Sequence, residues 1–271
     1  MLMKMNTLPL KQQTGKYFWA TLALTVLVLL TCVFSIINPE AIYTTSKLNQ
    51  AYYPSDLGIL FLGIPFLLIA LWQVFSGKFI GLIIWLSALF FILYSYALYL
   101  FGTPFGFSFW IYLAIVGLSL YLLVRVLMCI DYEKASTNYV EKTPVKLASI
   151  ILIALGALIF FRVVGLVSTT IMNGGTIHQV DIALWITDFV IAAPALIIVG
   201  FQLWRKRAFA LITAPALYLQ YIVLSLGLFP VFIYQAGGNL ASIDMGGVIV
   251  IVVMIALCAF PLMQLLKSMR N

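Results

Sequence analysis

The sequence predicts an all-α integral membrane protein with eight transmembrane helices. Of its 271 residues, 64% are hydrophobic and only 8% are charged, whereas soluble domains carry about 25% charged residues. Apolar runs of the roughly 20 residues that a spanning helix needs recur along the whole chain. Basic residues gather in alternate connections between these runs. These three observations exclude a soluble fold and leave no segment for a sizeable soluble domain.

Each apolar run is expected to be helical, because a helix satisfies its own backbone polar groups in lipid. The first run follows three lysines, is longer than the apolar core of a signal peptide and lacks a small-residue cleavage motif, so we expect it to remain uncleaved. The eight helices are expected at residues 17–37, 57–75, 79–101, 107–130, 147–168, 182–203, 208–234 and 245–266.

Local signals support several of these helices. Ser55 and Asp56 stand just before the second, where side-chain oxygens accept hydrogen bonds from first-turn N–H groups. Thr143 and Pro144 do the same for the fifth. The third and seventh carry polar stripes, which are expected to face into the bundle: Ser87, Ser95, Tyr99, Tyr94 and Tyr96 in one, and Tyr218, Gln220, Tyr221 and Ser225 in the other. The fourth, sixth and eighth are predicted from length and apolarity alone.

The basic residues predict the orientation. With the N-terminus inside, thirteen of them lie on the cytoplasmic side and Lys47 alone lies outside. We therefore expect a multi-pass protein of the cell membrane with both termini in the cytoplasm. The net charge of +7 reports this topology and contact with anionic lipid, since the charges do not form the single basic face that nucleic-acid binding requires.

An internal duplication is expected. Pro65 and Gln73 match Pro194 and Gln202 at a spacing of 129 residues. An even number of helices per half makes the repeats parallel, and sites in such proteins lie at the repeat interface. The expected organisation is a first repeat at 1–130, a cytoplasmic linker at 131–146 and a second repeat at 147–271.

Arg162 and Asp188 are charged residues inside the fifth and sixth helices, at matched depth, so we expect them to pair. Three interpretations remain open. The pair fixes the packing of two helices, or Arg162 binds an anionic head group or solute with Asp188 orienting it, or Arg162 extends to the interface. Gln220 near mid-membrane either bonds to a neighbouring helix or lines a solute path.

Pro65 and Pro194 are expected to kink their helices. The carbonyls of Phe61 and Val190, which the prolines leave free, are either satisfied locally or available to a substrate. His178 is the single histidine, and with Asp181 it supplies only two ligands, so no metal is expected. No other cofactor is expected. The acids Glu40, Asp56, Asp181 and Asp244 are expected to be solvated loop charges.

The stretches "YYPSDLGILFLGIPFLLIALW", "FFILYSYALYLFG" and "TDFVIAAPALIIVGFQLWRKR" resemble uncharacterised multi-pass membrane proteins of prokaryotes. The resemblance implies an integral membrane protein and transfers no activity. Hydrolase, zinc-protease and nucleotide-binding motifs are absent from the sequence. We expect a non-enzymatic carrier or binder of a small, anionic solute or lipid, with Arg162, Asp188 and Gln220 at the site. A scaffold or accessory subunit is the alternative, and a lipid-modifying enzyme is third. The sequence does not indicate an oligomeric state.

Overall fold

The structure is a computed structural model that describes residues 8–11, 15–139, 144–175, 177–237, 239 and 242–269. These residues form eight helices that are long and apolar enough to cross a membrane. The helices are α1 Gly15–Ile37, α2 Ser46–Phe75, α3 Phe79–Gly102, α4 Phe107–Cys129, α5 Val145–Met172, α6 Gln179–Trp204, α7 Ala208–Gln235 and α8 Met245–Lys267. The predicted all-helical, eight-span architecture is therefore confirmed.

The second helix begins eleven residues before the predicted start. Thr45 caps it by accepting a hydrogen bond from the Leu48 backbone N–H at 3.3 Å. Ser55 and Asp56 therefore lie inside the helix, and the prediction that they cap it is wrong. Pro144 precedes α5 without a side-chain cap, and Thr143 lies outside the described residues.

The helices of each half pack in the same cyclic order. In the first half α1 and α3 both contact α2 and α4, and in the second half α5 and α7 both contact α6 and α8. The third helix is buried on most of its surface and packs against α7 and the start of α6. The C-terminal part of α7 in turn packs against the start of α2.

Four structural features recur at a spacing of 129 residues. A π-helical turn interrupts α2 at Ile59–Gly63 and α6 at Asp188–Ala192. The α-helical segments that follow are Ile64–Phe75 and Ala193–Trp204. The turns after them place Gly77 and Lys206 in the left-handed region, with φ of 72° and 53°, and α3 and α7 then begin at Phe79 and Ala208.

The two ends of the bundle differ in charge. One end, which we call the basic end, holds the lysines and arginines at the start of α1, in the α2–α3 and α6–α7 connections and at the end of α8. The opposite end, which we call the acidic end, exposes Glu40, Asp181 and Asp244 against the single lysine Lys47 among the described residues. This segregation follows from the helix bounds and sets the electrostatics of the sites below.

Candidate functional site: two buried carboxylates

Asp56 is a buried carboxylate near the acidic end, with only 1% of its surface exposed. Its Oδ2 accepts a hydrogen bond from the Tyr43 hydroxyl, and its Oδ1 accepts one from the Tyr99 hydroxyl at 3.0 Å. Tyr43 comes from the connection between α1 and α2, whereas Tyr99 comes from the end of α3. The prediction that Asp56 is a solvated loop charge is wrong, because α2 carries it beneath that connection.

Five tyrosines form a cluster around this carboxylate, and we call the group the Asp56 cluster. Its rings pack closely, with the centroid of Tyr99 lying 4.6 Å from Tyr52 and 5.3 Å from both Tyr96 and Tyr112. Gly102 makes room for this packing, since a Cβ there would lie 1.7 Å from the Tyr52 hydroxyl. The Asp56 cluster comprises Asp56 with Tyr43, Tyr52, Tyr96, Tyr99 and Tyr112.

No cation neutralises Asp56 within the described part of the chain, where Arg162–Asp188 is the single salt bridge. Hydrogen bonds from tyrosines stabilise an ionised carboxylate, but an unpaired charge removed from water is costly. Burial and the neighbouring Asp56 carboxylate raise the pKa of Tyr43 well above its usual range. Tyr43 therefore stays protonated and keeps donating to Asp56.

A polar vestibule opens directly above Tyr43. It has a volume of about 690 Å³ and is bounded by the α1–α2 connection, the start of α2 and the end of α7. Glu40, Asn49 and Tyr234 contribute to its walls, and the Tyr234 hydroxyl donates to Asn49 Oδ1 at 2.7 Å. Tyr43 thus lines the vestibule and also donates to Asp56, so it links the two.

Asp188 is the second buried carboxylate, and it lies at the first residue of the π-helical turn in α6. Arg162 Nη2 donates to its Oδ2 at 2.9 Å, so the predicted ion pair is present. The Tyr94 hydroxyl of α3 donates to its Oδ1 at 2.7 Å. The Asp188 side chain is 7% exposed and that of Arg162 is 50% exposed, so Asp188 is held in the protein while Arg162 faces outward.

Gln220 does not share the hydrogen bonds of this pair. It is fully buried, and neither atom of its side-chain amide has a hydrogen-bond partner among the described residues. Tyr221 beside it interacts electrostatically with Asp188, although its hydroxyl also has no hydrogen-bond partner there. The structure thus brings Arg162 and Asp188 together and adds Tyr94, while Gln220 stays outside the hydrogen-bonded group.

Pro65 and Pro194 are each the second residue of the α-helical segment that follows a π-helical turn. Such a turn shifts the backbone hydrogen bonds by one residue, which accommodates the missing proline N–H. Phe61 and Val190, which lie four residues before the prolines, are 70% and 63% exposed on the outside of the bundle. Each proline thus lies close to a buried acid of its own helix. Asp188 begins the π-helical turn of α6, and Asp56 lies three residues before the π-helical turn of α2.

The described residues include no group of three His, Cys, Asp or Glu side chains that could hold a metal. His178 is exposed at the acidic end, and Cys32, Cys129 and Cys258 are buried free thiols. Comparison of the chain with known protein families, with curated proteins and with solved structures gives no match in any of the three.

Proposed function

We propose that the protein is a proton-binding membrane carrier in which Asp56 takes up and releases the proton. One observation carries this proposal: Asp56 is buried without a cation among the described residues, one tyrosine away from a polar vestibule. Intramembrane carboxylates mark proton relays and ion pathways in transport proteins. The proposal includes no covalent chemistry on the solute, and the lack of hydrolase, zinc-protease and nucleotide-binding motifs in the sequence supports this part of it.

The surroundings of Asp56 favour a proton over a metal ion or an anion. Both described hydrogen bonds to the carboxylate come from hydroxyl donors, and the tyrosine rings of the Asp56 cluster pack against one another. Hard cations require six or more oxygen ligands, and this packing does not supply that shell. Anions approaching the acidic end meet Glu40, Asp181 and Asp244 against Lys47 alone, so the field disfavours them.

The proposal includes two parallel four-helix repeats, at 1–130 and 147–271, joined by the linker at 131–146. The recurrence of the π-helical turns, the left-handed turn residues and the helix starts at one spacing supports it. So does the packing, since α3 contacts α6 as α7 contacts α2, which is the pattern that a two-fold axis along the membrane normal produces. Asp56 and Asp188 then lie near the same π-helical turn of matched helices.

A second candidate function, binding of an anionic lipid head group or solute, belongs to Arg162. Its guanidinium uses one described hydrogen bond and is half-exposed, which leaves most of its five donors for a phosphate or carboxylate. Asp188 already neutralises its charge, so we rank this function below the first. If both candidate functions fail their tests, the same residues only pack helices, and the protein then acts as a scaffold.

The test is infrared difference spectroscopy of the purified protein in nanodiscs across a pH titration. We expect a protonated carboxyl band that is lost in Asp56→Asn and kept in the control Asp181→Asn, since Asp181 is exposed at the acidic end. Proteoliposomes loaded with a pH-sensitive dye then receive small cationic, zwitterionic and anionic solutes in turn. We expect at least one solute to move protons through the wild type and not through Asp56→Asn.

Three outcomes contradict the proposal. If the carboxyl band survives in Asp56→Asn, Asp56 does not titrate and the cluster only stabilises the fold. If Asp56 titrates but no solute moves protons in any preparation, the protein is not a proton-coupled carrier. Proton movement with anionic solutes that requires Arg162 and is unaffected by Asp56→Asn would transfer the function to the second candidate.

A further inference from the structure

A groove of about 450 Å³ opens on the side of the bundle between α1 and α4. Its walls are the last half of α1, from Leu27 to Ile37, and the first turns of α4, from Phe107 to Tyr112. Several wall residues are large, apolar and exposed: Leu30 is 62%, Ile37 70% and Phe107 78% exposed. The volume lies within the range of roughly 300–1,000 Å³ of sites that hold small organic ligands.

The length of the groove matches one leaflet of a bilayer. Ten residues separate Leu27 from Ile37, and at about 1.5 Å rise per residue they span roughly 15 Å. This is half of the roughly 30 Å hydrocarbon core. The groove therefore runs from the acidic-end boundary of the membrane to about its midplane, and its opening faces the region where lipid chains lie.

The lining gains polar side chains toward the boundary. Leu27 and Leu30 form the deep end, whereas Ser35, Asn38 and Ser108 lie near the boundary together with the apolar Ile37 and Phe107. Thr31 at intermediate depth satisfies its own hydroxyl by donating to the Leu27 carbonyl at 2.8 Å. A phospholipid has the same order, since its chain lies deep and its ester and head group lie at the boundary. No charged side chain among the described residues lines the groove, so it does not select a head-group charge.

Tyr112 supplies an unused hydrogen bond in this lining. Its side chain lies in the wall of the groove and is 1% exposed, and its hydroxyl has no hydrogen-bond partner among the described residues. The oxygen is buried behind the lining, and a ligand oxygen that reached it would meet a hydroxyl without a described partner. The glycerol and ester oxygens of a phospholipid lie at this depth.

We infer that the groove binds one acyl chain of a diacyl phospholipid from the acidic-end leaflet, with its ester region at Tyr112, Ser35 and Asn38. The lipid then packs against the Asp56 cluster, because the Tyr112 ring also contacts Tyr99 and Tyr96. The inference is independent of what Asp56 does. It requires only that the eight helices lie in a bilayer.

The probe is a phosphatidylcholine carrying a photoreactive diazirine midway along one acyl chain, in nanodiscs of phosphatidylethanolamine and phosphatidylglycerol. After illumination, labelled residues are mapped by mass spectrometry. We expect labelling to concentrate on the α1 and α4 walls of the groove. Leu30→Trp, which fills the groove, should reduce it several-fold, and Tyr112→Phe should reduce it by less. Leu158→Trp is the matched control, because Leu158 is 63% exposed on α5, outside the groove.

Melting temperatures identify variants that fold, and Phe34→Trp replaces Leu30→Trp if the latter does not. Even labelling of all exposed helices, or labelling that Leu30→Trp and Phe34→Trp leave unchanged, overturns the inference. Labelling of the groove by a diazirine fatty acid but not by the phospholipid also overturns the inference, since a free fatty acid is then the occupant. Displacement of the label by unlabelled phosphatidylethanolamine and phosphatidylglycerol to equal extents is expected from the uncharged lining.

Discussion

Tyr94 and Tyr99 lie five residues apart on α3 and donate to carboxylates in opposite halves of the chain, at 2.7 Å to Asp188 and 3.0 Å to Asp56. Five residues correspond to about 7.5 Å along a helix. One helix thus fixes two acidic sites, of which one has a guanidinium partner and the other has none among the described residues. Both acids are buried and both accept a hydrogen bond from a tyrosine, so the two sites differ in the guanidinium of Arg162.

Tyr99→Phe should lower the melting temperature, because it leaves Asp56 with one described donor fewer in a buried position. A missing hydrogen bond to a buried group costs about 1–3 kcal/mol. The measurement is thermal unfolding of the purified protein in detergent, compared with Tyr121→Phe, whose ring is 54% exposed on α4. Equal melting temperatures for the two variants would show that the bond to Asp56 does not stabilise the fold.

Arg162→Gln should destabilise the protein, because it leaves Asp188 buried without its cation. Breaking a fully buried pair costs about 3–5 kcal/mol, and the half-exposed Arg162 side chain reduces the expected loss to about 2 kcal/mol. Asp188→Asn should be damaging as well, and the double variant should recover part of the loss. Folded yield and melting temperature of the four proteins measure this coupling.

If Arg162→Gln is as stable as the wild type, the guanidinium does not hold α5 against α6. The half-exposed charge would then favour the second candidate function, and binding of anionic lipids or solutes to Arg162 would be the measurement to make. If the single variants are damaging and the double variant recovers, the pair acts mainly in helix packing.

Gly200→Ala should weaken the contact between α5 and α6. A Cβ at Gly200 would lie 2.7 Å from Ile153 Cγ1 and 3.1 Å from the Ile153 backbone nitrogen. Small residues allow membrane helices to approach closely, and forcing an extra methyl into such a contact costs about 1–3 kcal/mol. Gly156→Ala should act in the same way from the α5 side. Gly165→Ala is the control on α5, since no atom lies within 4 Å of its Cβ position, and an equal effect there would contradict the packing argument.

Local sequence signals predict what depends on one helix at a time. Hydropathy places all eight helices, and helix geometry places Arg162 and Asp188 at one depth, so their pairing follows. Asp56 shows what such signals miss. The residues before it are polar and aromatic, which is typical of a loop, and α2 extends through them because Thr45 caps it and because Tyr43 and Tyr99 reach its carboxylate from other elements. Contacts between distant residues decide its burial, and a single sequence does not encode their distances.

The expected orientation places the acidic end outside the cell and the basic end in the cytoplasm, as the distribution of Lys and Arg predicts. Single cysteines at Glu40→Cys and Lys206→Cys test it, because both positions are exposed at opposite ends of the bundle. A membrane-impermeant maleimide applied to intact cells should label residue 40 and should label residue 206 only after the cells are opened. The wild type is the blank, since its three cysteines are buried. Labelling of residue 206 in intact cells, with residue 40 protected, would show that the topology is the reverse of the expected one. The vestibule above Tyr43 would then face the cytoplasm, and Asp56 would exchange protons with that side.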